Sequence, residues 1–349
     1  MTANRAITVG GVRVRPGERK NVDLPIADLY TTTSLHMPLQ VICGRQAGPT
    51  AFVSAAVHGD EINGVEIVRR LLQLKTLQRL KGNLLLVPVV NVHGFLDRSR
   101  YLPDRRDLNR SFPGTPKGSI AARLAHTFTE EVALRADFGI DLHTGAIDRS
   151  NLPQVRVTGS DKEATRLALA FGAPVIVCAR ERAGALRTAA ASKGIPVLVY
   201  EAGEALRFDE LSIKAGVRGI LRVLRARGML PRRRETNTSG TVIATDTSWV
   251  RAPTSGIVTQ RGALGRRVKK GDVLAVMTDP LGTVSEPVPS PFSGLIIGRS
   301  NLPLAHEGDA LFNIASFESV AKAEGVVEDF ATTHEPAPDR RVQNELMDT

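Results

Sequence analysis

Between residues 39 and 227 the chain alternates short apolar runs with longer stretches of helical periodicity. The apolar runs fall at 39–43, 51–57, 84–90, 138–142, 175–177 and 197–200. Between them, at 62–74, 120–135, 164–171, 186–192 and 211–227, apolar residues recur every three or four positions. Strands that are apolar on both faces must be covered on both faces, so the pattern predicts an α/β unit with its sheet between helices. In such sheets, ligands lie beyond the carboxyl ends of the strands. Residues 1–38 read as short strands and turns, punctuated by Gly10-Gly11 and Pro16-Gly17.

The helical pattern stops near residue 230. Residues 231–239 (PRRRETNTS) are polar and basic and read as a linker. Residues 240–316 carry no long helical period and are rich in Val, Ile, Gly and Pro, as an all-β unit would be. They also hold an internal repeat. Ala252-Pro-Thr-Ser-Gly-Ile-Val258 matches Ser290-Pro-Phe-Ser-Gly-Leu-Ile296, and Lys270-Gly-Asp-Val-Leu-Ala-Val-Met277 matches Glu307-Gly-Asp-Ala-Leu-Phe-Asn-Ile314. Two equivalent halves predict a small sandwich or barrel. Residues 317–349 turn acidic and Pro-containing and are expected to be partly disordered.

Composition narrows the functional classes. A chain of 349 residues is long for one core, which agrees with a unit at 1–230 followed by a second one. The net charge of +10 is spread out, and aromatics make up only 4%, which argues against a nucleic-acid module. The basic runs Arg232–Arg234 and Arg266–Lys270 read as solvated surface or linker, and the overall field suits anionic substrates. No apolar run is long enough to span a membrane, and the first 20 residues lack a signal core. Cys43 and Cys178 are flanked by apolar residues and read as buried free thiols, which suits a cytoplasmic location.

The chemistry concentrates at the ends of the predicted strands. His58-Gly59-Asp60-Glu61 follows one strand and precedes a helix, so an imidazole and a carboxylate three residues apart can converge on one ion. Gly59 would let the backbone turn tightly there. Two His and one Glu form a recognised catalytic zinc set. Asp141-Leu142-His143 ends another strand, supplying His143 as third ligand and Asp141 as the acceptor that orients it. Glu201, at the end of the run 195–200, is the best general base, with Glu204 a weaker alternative. The Arg-rich segment 98–112 suggests a carboxylate grip at Asn109 and Arg110 with Arg100 as helper, and Arg187 could reach in from another loop.

His58-Gly-Asp-Glu61, Asp107-Leu-Asn-Arg110, Asp141-Leu-His143 and Glu201 in Tyr-Glu-Ala-Gly occur in the order that marks the succinylglutamate desuccinylase/aspartoacylase family. The sequence resembles that family, a branch of the zinc-carboxypeptidase fold, from about residue 39 to 228. The resemblance implies a mixed sheet flanked by helices and a C-terminal β unit of the biotinyl/lipoyl barrel-sandwich type. The turn at 279–289 lacks the lysine of a carrier domain, so the β unit is expected to form a wall of the active-site mouth. The resemblance further implies one zinc per chain on His58, Glu61 and His143. Asn109, Arg110 and Arg100 would bind substrate, and Glu201 would act as base. The expected reaction is deacylation of a small N-acyl amino acid by metal-activated water. The loop from Arg100 to Asn109 is longer than in aspartoacylases, which leaves side-chain specificity open. Two alternatives remain: a zinc carboxypeptidase trimming short peptides, and a non-catalytic metal-binding protein. Self-association stays open.

Overall fold

The computed structural model describes residues 2–159, 161–233, 240–259 and 262–334. Most of the expected linker and the end of the tail lie outside the described residues.

The N-terminal hairpin β1 (Ile7–Val9) and β2 (Val12–Val14) precedes β3 (Arg19–Asp28), β4 (Ser34–Cys43) and β5 (Gln46–Ala55). The region expected to hold only short strands thus includes ten-residue β3, paired along β4. Then come α1 (Asn63–Leu72), β6 (Lys81–Val87), α2 (Val92–Asp97), α3 (Ile120–Glu131) and β7 (Phe138–Gly145). They are followed by β8 (Arg149–Thr158), α4 (Lys162–Phe171), β9 (Val175–Ala179), α5 (Leu186–Ala191), β10 (Val197–Glu204) and α6 (Glu210–Ala226).

The strands form a mixed sheet in the order β3-β4-β6-β5-β7-β10-β8. Strands β6, β5, β7 and β10 are parallel and form its centre, while β8 runs antiparallel to β10. The two-faced apolar pattern has a direct cause. Ala51, Val53 and Ala55 pack toward α1, α4 and α6, whereas Phe52 between them packs toward α3 with Phe128. Alternate residues of one strand therefore feed two separate cores.

The C-terminal part contains β11 (Val242–Ala244), β12 (Asp246–Arg251), β13 (Gly256–Thr259), β14 (Arg267–Val268) and β15 (Val273–Thr278). It continues through β16 (Ser285–Pro289), β17 (Gly294–Ser300), β18 (Leu304–Ala305) and β19 (Ala310–Ser316). The sequence repeat folds as repeated structure. In the first copy β13 pairs antiparallel with β15, and in the second β17 pairs antiparallel with β19. The two hairpins belong to different sheets, and Val258, Leu274 and Met277 from one meet Ile296, Phe312 and Ile314 from the other in a common core.

This β unit is joined to the α/β unit by strand pairing. Gly298, Arg299 and Ser300 of β17 pair with Asn151, Ser150 and Arg149 of β8, and β11 pairs in parallel with β9. The described part of the tail is helical. Residues Val320–His334 form α7, whose Ala323, Val327, Phe330 and His334 are buried. The spacing of four, three and four residues makes an apolar stripe that the acidic composition hides. Phe330 reaches the core under α6 while Ala323 and Val327 pack beside β17, so α7 clamps the two units together. Both cysteines are free, but only Cys43 is buried; Cys178 is exposed where β9 emerges from cover at its last two residues. Among the described residues, no helix is long and apolar enough to cross a membrane.

Candidate metal centre and its surroundings

His58 and Glu61 lie in the tight connection between β5 and α1, at the carboxyl end of the sheet. Gly59 serves a different purpose from the expected sharp turn. A Cβ there would sit 1.9 Å from the backbone carbon of Gly94, so glycine is required because α2 crosses directly against this segment. His143 projects from β7, two residues beyond Asp141 on the same face.

The three side chains meet. One ligand atom from each of His58, Glu61 and His143 falls within 4.8 Å of the others, and all three residues are buried. His143 Nδ1 lies 2.7 Å from Glu61 Oε2, and His58 Nδ1 lies 2.9 Å from Glu61 Oε1. The opposite ring nitrogens each face another carboxylate: His143 Nε2 is 2.8 Å from Asp141 Oδ2, and His58 Nε2 is 3.1 Å from Asp107 Oδ1. Both imidazoles therefore turn Nδ1 inward and brace Nε2 outward, the arrangement that fixes tautomer and orientation in metal sites. Among the described residues, buried His58 Nδ1 has no well-aligned hydrogen-bond partner. An orphaned ring nitrogen beside a carboxylate and a second imidazole fits a divalent cation, and the donor set suits zinc.

The bracing carboxylates are themselves held. Ser54 Oγ on β5 donates to Asp141 Oδ1 at 2.7 Å, across from it in the ladder. Asp107 Oδ1 accepts from the Asn109 backbone N–H at 2.8 Å, and Asp107 Oδ2 accepts from Arg100 Nη2 at 3.1 Å. Arg100 also donates to Glu61 Oε1 at 3.1 Å. Burial alone would raise the Glu61 carboxyl, but the His58 and His143 imidazoles outweigh it and hold Glu61 well below the carboxylate range. Burial would likewise lower both imidazoles. Glu61 and Asp107 outweigh it at His58, and Asp141 and Glu61 at His143, so both are raised, His143 strongly.

The other predicted residues surround this cluster. Glu201 of β10 is paired in parallel register with His143, so the two neighbouring side chains share a face of the sheet. Its Oε2 accepts from Asn151 Nδ2 at 2.8 Å, and Arg156 Nε lies 3.7 Å from its Oε1. Glu204 is engaged elsewhere, accepting from Ser150 Oγ at 3.3 Å and Asn301 Nδ2 at 2.8 Å. Asn109 Oδ1 accepts from the Leu186 N–H at 2.9 Å, tying its loop to α5. Arg110 is exposed and bonds the carbonyl of Asn109; burial of its inner part, with Arg182 and Arg100 nearby, lowers its guanidinium pKa. The structure thus joins Arg100 to the metal-type cluster, while Asn109 reaches it through the loop that Asp107 caps.

The catalytic-domain description of the succinylglutamate desuccinylase/aspartoacylase family matches residues 47–227. The chain belongs to this family. An N-alpha-acetyl-L-2,4-diaminobutyric acid deacetylase of Halomonas elongata is 32% identical over 160 residues, covering 44% of this chain and 47% of that protein. The match therefore spans about half the length of that curated relative. Among solved structures, the product-bound ectoine utilization protein EutE (DoeB) of Ruegeria pomeroyi aligns with a TM-score of 0.77 at 27% identity, over 90% of this chain and 100% of that one. A succinylglutamate desuccinylase/aspartoacylase of Rhodobacter sphaeroides shares the fold, with a TM-score of 0.78 at 24% identity, over 86% of this chain and 96% of that one.

Within this family member, sequence reasoning missed two side chains and undervalued a third. Asp107 was visible as part of a motif, but not as the brace of His58, because the two stand 49 residues apart. Arg156 carries no local motif at all. Arg187 was in view only as an outlying possibility. Burial and then the Arg156 charge lower its pKa, and Glu201 opposes that lowering, which places all three charges in one neighbourhood. Among the described residues, neither Arg156 Nε nor Arg187 Nε has a hydrogen-bond partner, although both atoms are buried.

Proposed function

We propose that the protein is a zinc-dependent amidohydrolase that removes the acyl group from a small N-acyl amino acid. The observation that carries this reading is the buried meeting of His58, Glu61 and His143 beside Glu201, in a chain of the deacylase family. His58 Nδ1, a Glu61 carboxylate oxygen and His143 Nδ1 would hold the ion. Zinc held there supplies Lewis-acid polarisation of the acyl carbonyl and a water acidic enough to attack it. The remaining work falls to the chain. Glu201 takes the proton at Oε1 and returns it to the departing amine. Arg100, held against Glu61 and Asp107, fixes a positive charge where negative charge develops on the acyl oxygen. Asn109 and Arg110 grip the substrate carboxylate. The buried guanidinium groups of Arg187 and of Arg156, the latter beside Glu201, support a substrate that brings its own anionic group.

The direct test is a panel of N-acetyl, N-succinyl and other N-acyl amino acids incubated with zinc-loaded protein, with release of the free amine as readout. Turnover of at least one member is expected, with little trimming of short peptides. Peptide trimming without deacylation would favour a carboxypeptidase, and one bound zinc with no turnover of either class would favour a non-catalytic metal-binding protein.

The charges of the cluster also predict how pH acts on the metal-free protein. Both imidazoles are raised above their ordinary value of 6.5, so their contribution to stability is full below that pH and is lost as pH rises through the raised values. Glu61 is depressed below 4.5, so its contribution is full above that pH and is lost as pH falls through the lowered value. Zinc-free protein should therefore melt highest between about pH 5 and 6.5 and weaken toward pH 9. Added zinc should reverse the trend, because it must displace protons from both rings and binds better as pH rises. Melting curves with chelator and with zinc, at pH 5.5, 7 and 8.5, check both signs. A zinc-induced gain that shrinks with rising pH would contradict the assignment of the two rings as ligands.

A further inference from the structure

Asn151 stands where three strands meet. Its backbone pairs with Gly203 of β10 on one side and with Gly298 of β17 on the other. Its buried side chain donates to Oε2 of Glu201 at 2.8 Å. A Cβ on Gly298 opposite would sit 3.0 Å from Asn151 Oδ1 and 3.2 Å from Asn313 Cβ, close enough to push the amide by a few tenths of an ångström. The same strand of the β unit leads into Asn301, which holds Glu204 and Ser150 at the next turn of the rim.

A glutamate has three rotatable side-chain bonds, and proton transfer requires one oxygen to stay aimed at the reacting atoms. The Asn151 amide engages Oε2 alone. Oε1 lies 3.7 Å from Arg156 Nε, with no closer hydrogen bond among the described residues. We infer that Asn151 is a positioning residue for Glu201, and that the C-terminal β unit shares in catalysis because Gly298 leaves the room in which the Asn151 amide is aimed. This rests on the reading of Glu201 as the proton-transfer group. It gives the β unit a role beyond a wall at the mouth: one side of its sheet sets the rotamer of the base through a single intervening residue.

The experiment compares zinc-loaded wild type with Asn151→Ala, Gly298→Ala, Glu201→Gln and the double variant Asn151→Ala/Glu201→Gln, on the best N-acyl amino acid of the panel. Melting temperature and zinc content are measured on each. Asn151→Ala should lower kcat about tenfold or more, the scale of losing a hydrogen bond to a charged group, with KM changed by less than about twofold. Gly298→Ala keeps the amide but displaces it, and should lower kcat in the same sense. In the Glu201→Gln background, Asn151→Ala should cause no further loss, since a residue acting through Glu201 has nothing left to aim. Wild-type kcat in both single variants, with Glu201→Gln inactive, overturns the inference while leaving the proposed function intact. An additive loss in the double variant overturns it too, as does a loss that appears only with lowered melting temperature or zinc content. Full activity in Glu201→Gln, or no deacylation by wild type, removes the reading of Glu201 and this inference with it.

Discussion

Glu201→Gln should lower kcat by about a thousandfold, within the 10²- to 10⁴-fold range of lost general acid–base catalysis, while the protein keeps its fold and its zinc. The change is nearly isosteric. Its carbonyl can still accept from Asn151 Nδ2, now 2.8 Å from Oε2, so the side chain keeps its anchor. The amide cannot take a proton from water or give one to a departing amine. Glu201 is not one of the three residues whose ligand atoms converge, so zinc content should be unchanged. Substrate affinity should also change little, because the proposed carboxylate grip is formed by Asn109, Arg110 and Arg100 rather than by Glu201. Steady-state kinetics beside metal analysis distinguishes the outcomes. A variant with full kcat would remove Glu201 from proton transfer, and one that loses zinc as well as activity would make it a structural support of the metal site.

The metal-type residues and Glu201, unlike the loop residues Arg100 and Asn109, could be read from the sequence by one shared property. Each is a polar residue at the end of an apolar run, where the geometry of a parallel sheet collects side chains from distant segments on one rim. His58, Glu61, His143 and Glu201 all meet that description, and Asp141 follows from alternation along β7. What could not be read depends on contacts with no local signature. Residues 149–158 look irregular, since only Val155 and Val157 alternate as apolar positions, Pro153 takes the place before them and Leu152 is out of phase. They form β8, the strand that supplies Asn151 and Arg156 and joins the two units. A proline in a ladder forfeits one donor, and Pro153 falls where the β8–β10 register shifts between Asn151 and Gln154, an irregularity of the kind that tolerates it. Gly59 pointed to a turn because glycine usually does; the close passage of α2 that requires it appears only in three dimensions. Acidic composition hid the buried stripe of α7 for the same reason: averages over a segment discard the period.

The repeat shows the opposite case, in which sequence carried tertiary information. Matching heptapeptides at 252 and 290, and octapeptides at 270 and 307, predict equivalent halves; the structure forms the same hairpin twice and faces the copies across one core. Sequence offered no sign that one half would extend the catalytic sheet. That depends on β17 having a free edge of the right length beside β8, a property of two strands far apart in the chain and of neither alone.

Glu61→Gln should abolish stoichiometric zinc binding and, separately, weaken the metal-free protein in a way that depends on pH. Glu61 is the hub of the cluster: it faces His58 and His143 with different oxygens and also accepts from Arg100 and the Thr144 N–H. Removing a ligand should cost more in metal affinity than the about 10- to 100-fold that follows loss of a supporting contact. Without metal, the variant leaves two buried imidazoles and Arg100 short of a negative partner. Breaking a buried pair by deleting one member costs about 3 kcal/mol or more. Raised imidazole pKa values mean that this cost is greatest below about pH 6.5, where the rings carry their protons in the wild-type protein. It should narrow as pH rises and the rings turn neutral, since an unpaired buried carboxylate is then itself a burden that Gln lacks. Zinc content by elemental analysis, with denaturant midpoints for chelated wild type and variant at pH 5.5 and 8.5, measures both effects. A gap in stability that widens toward pH 8.5 would mean that Glu61 is held by Arg100 and backbone contacts rather than by the two histidines, and the case for a shared cation would lose its electrostatic support.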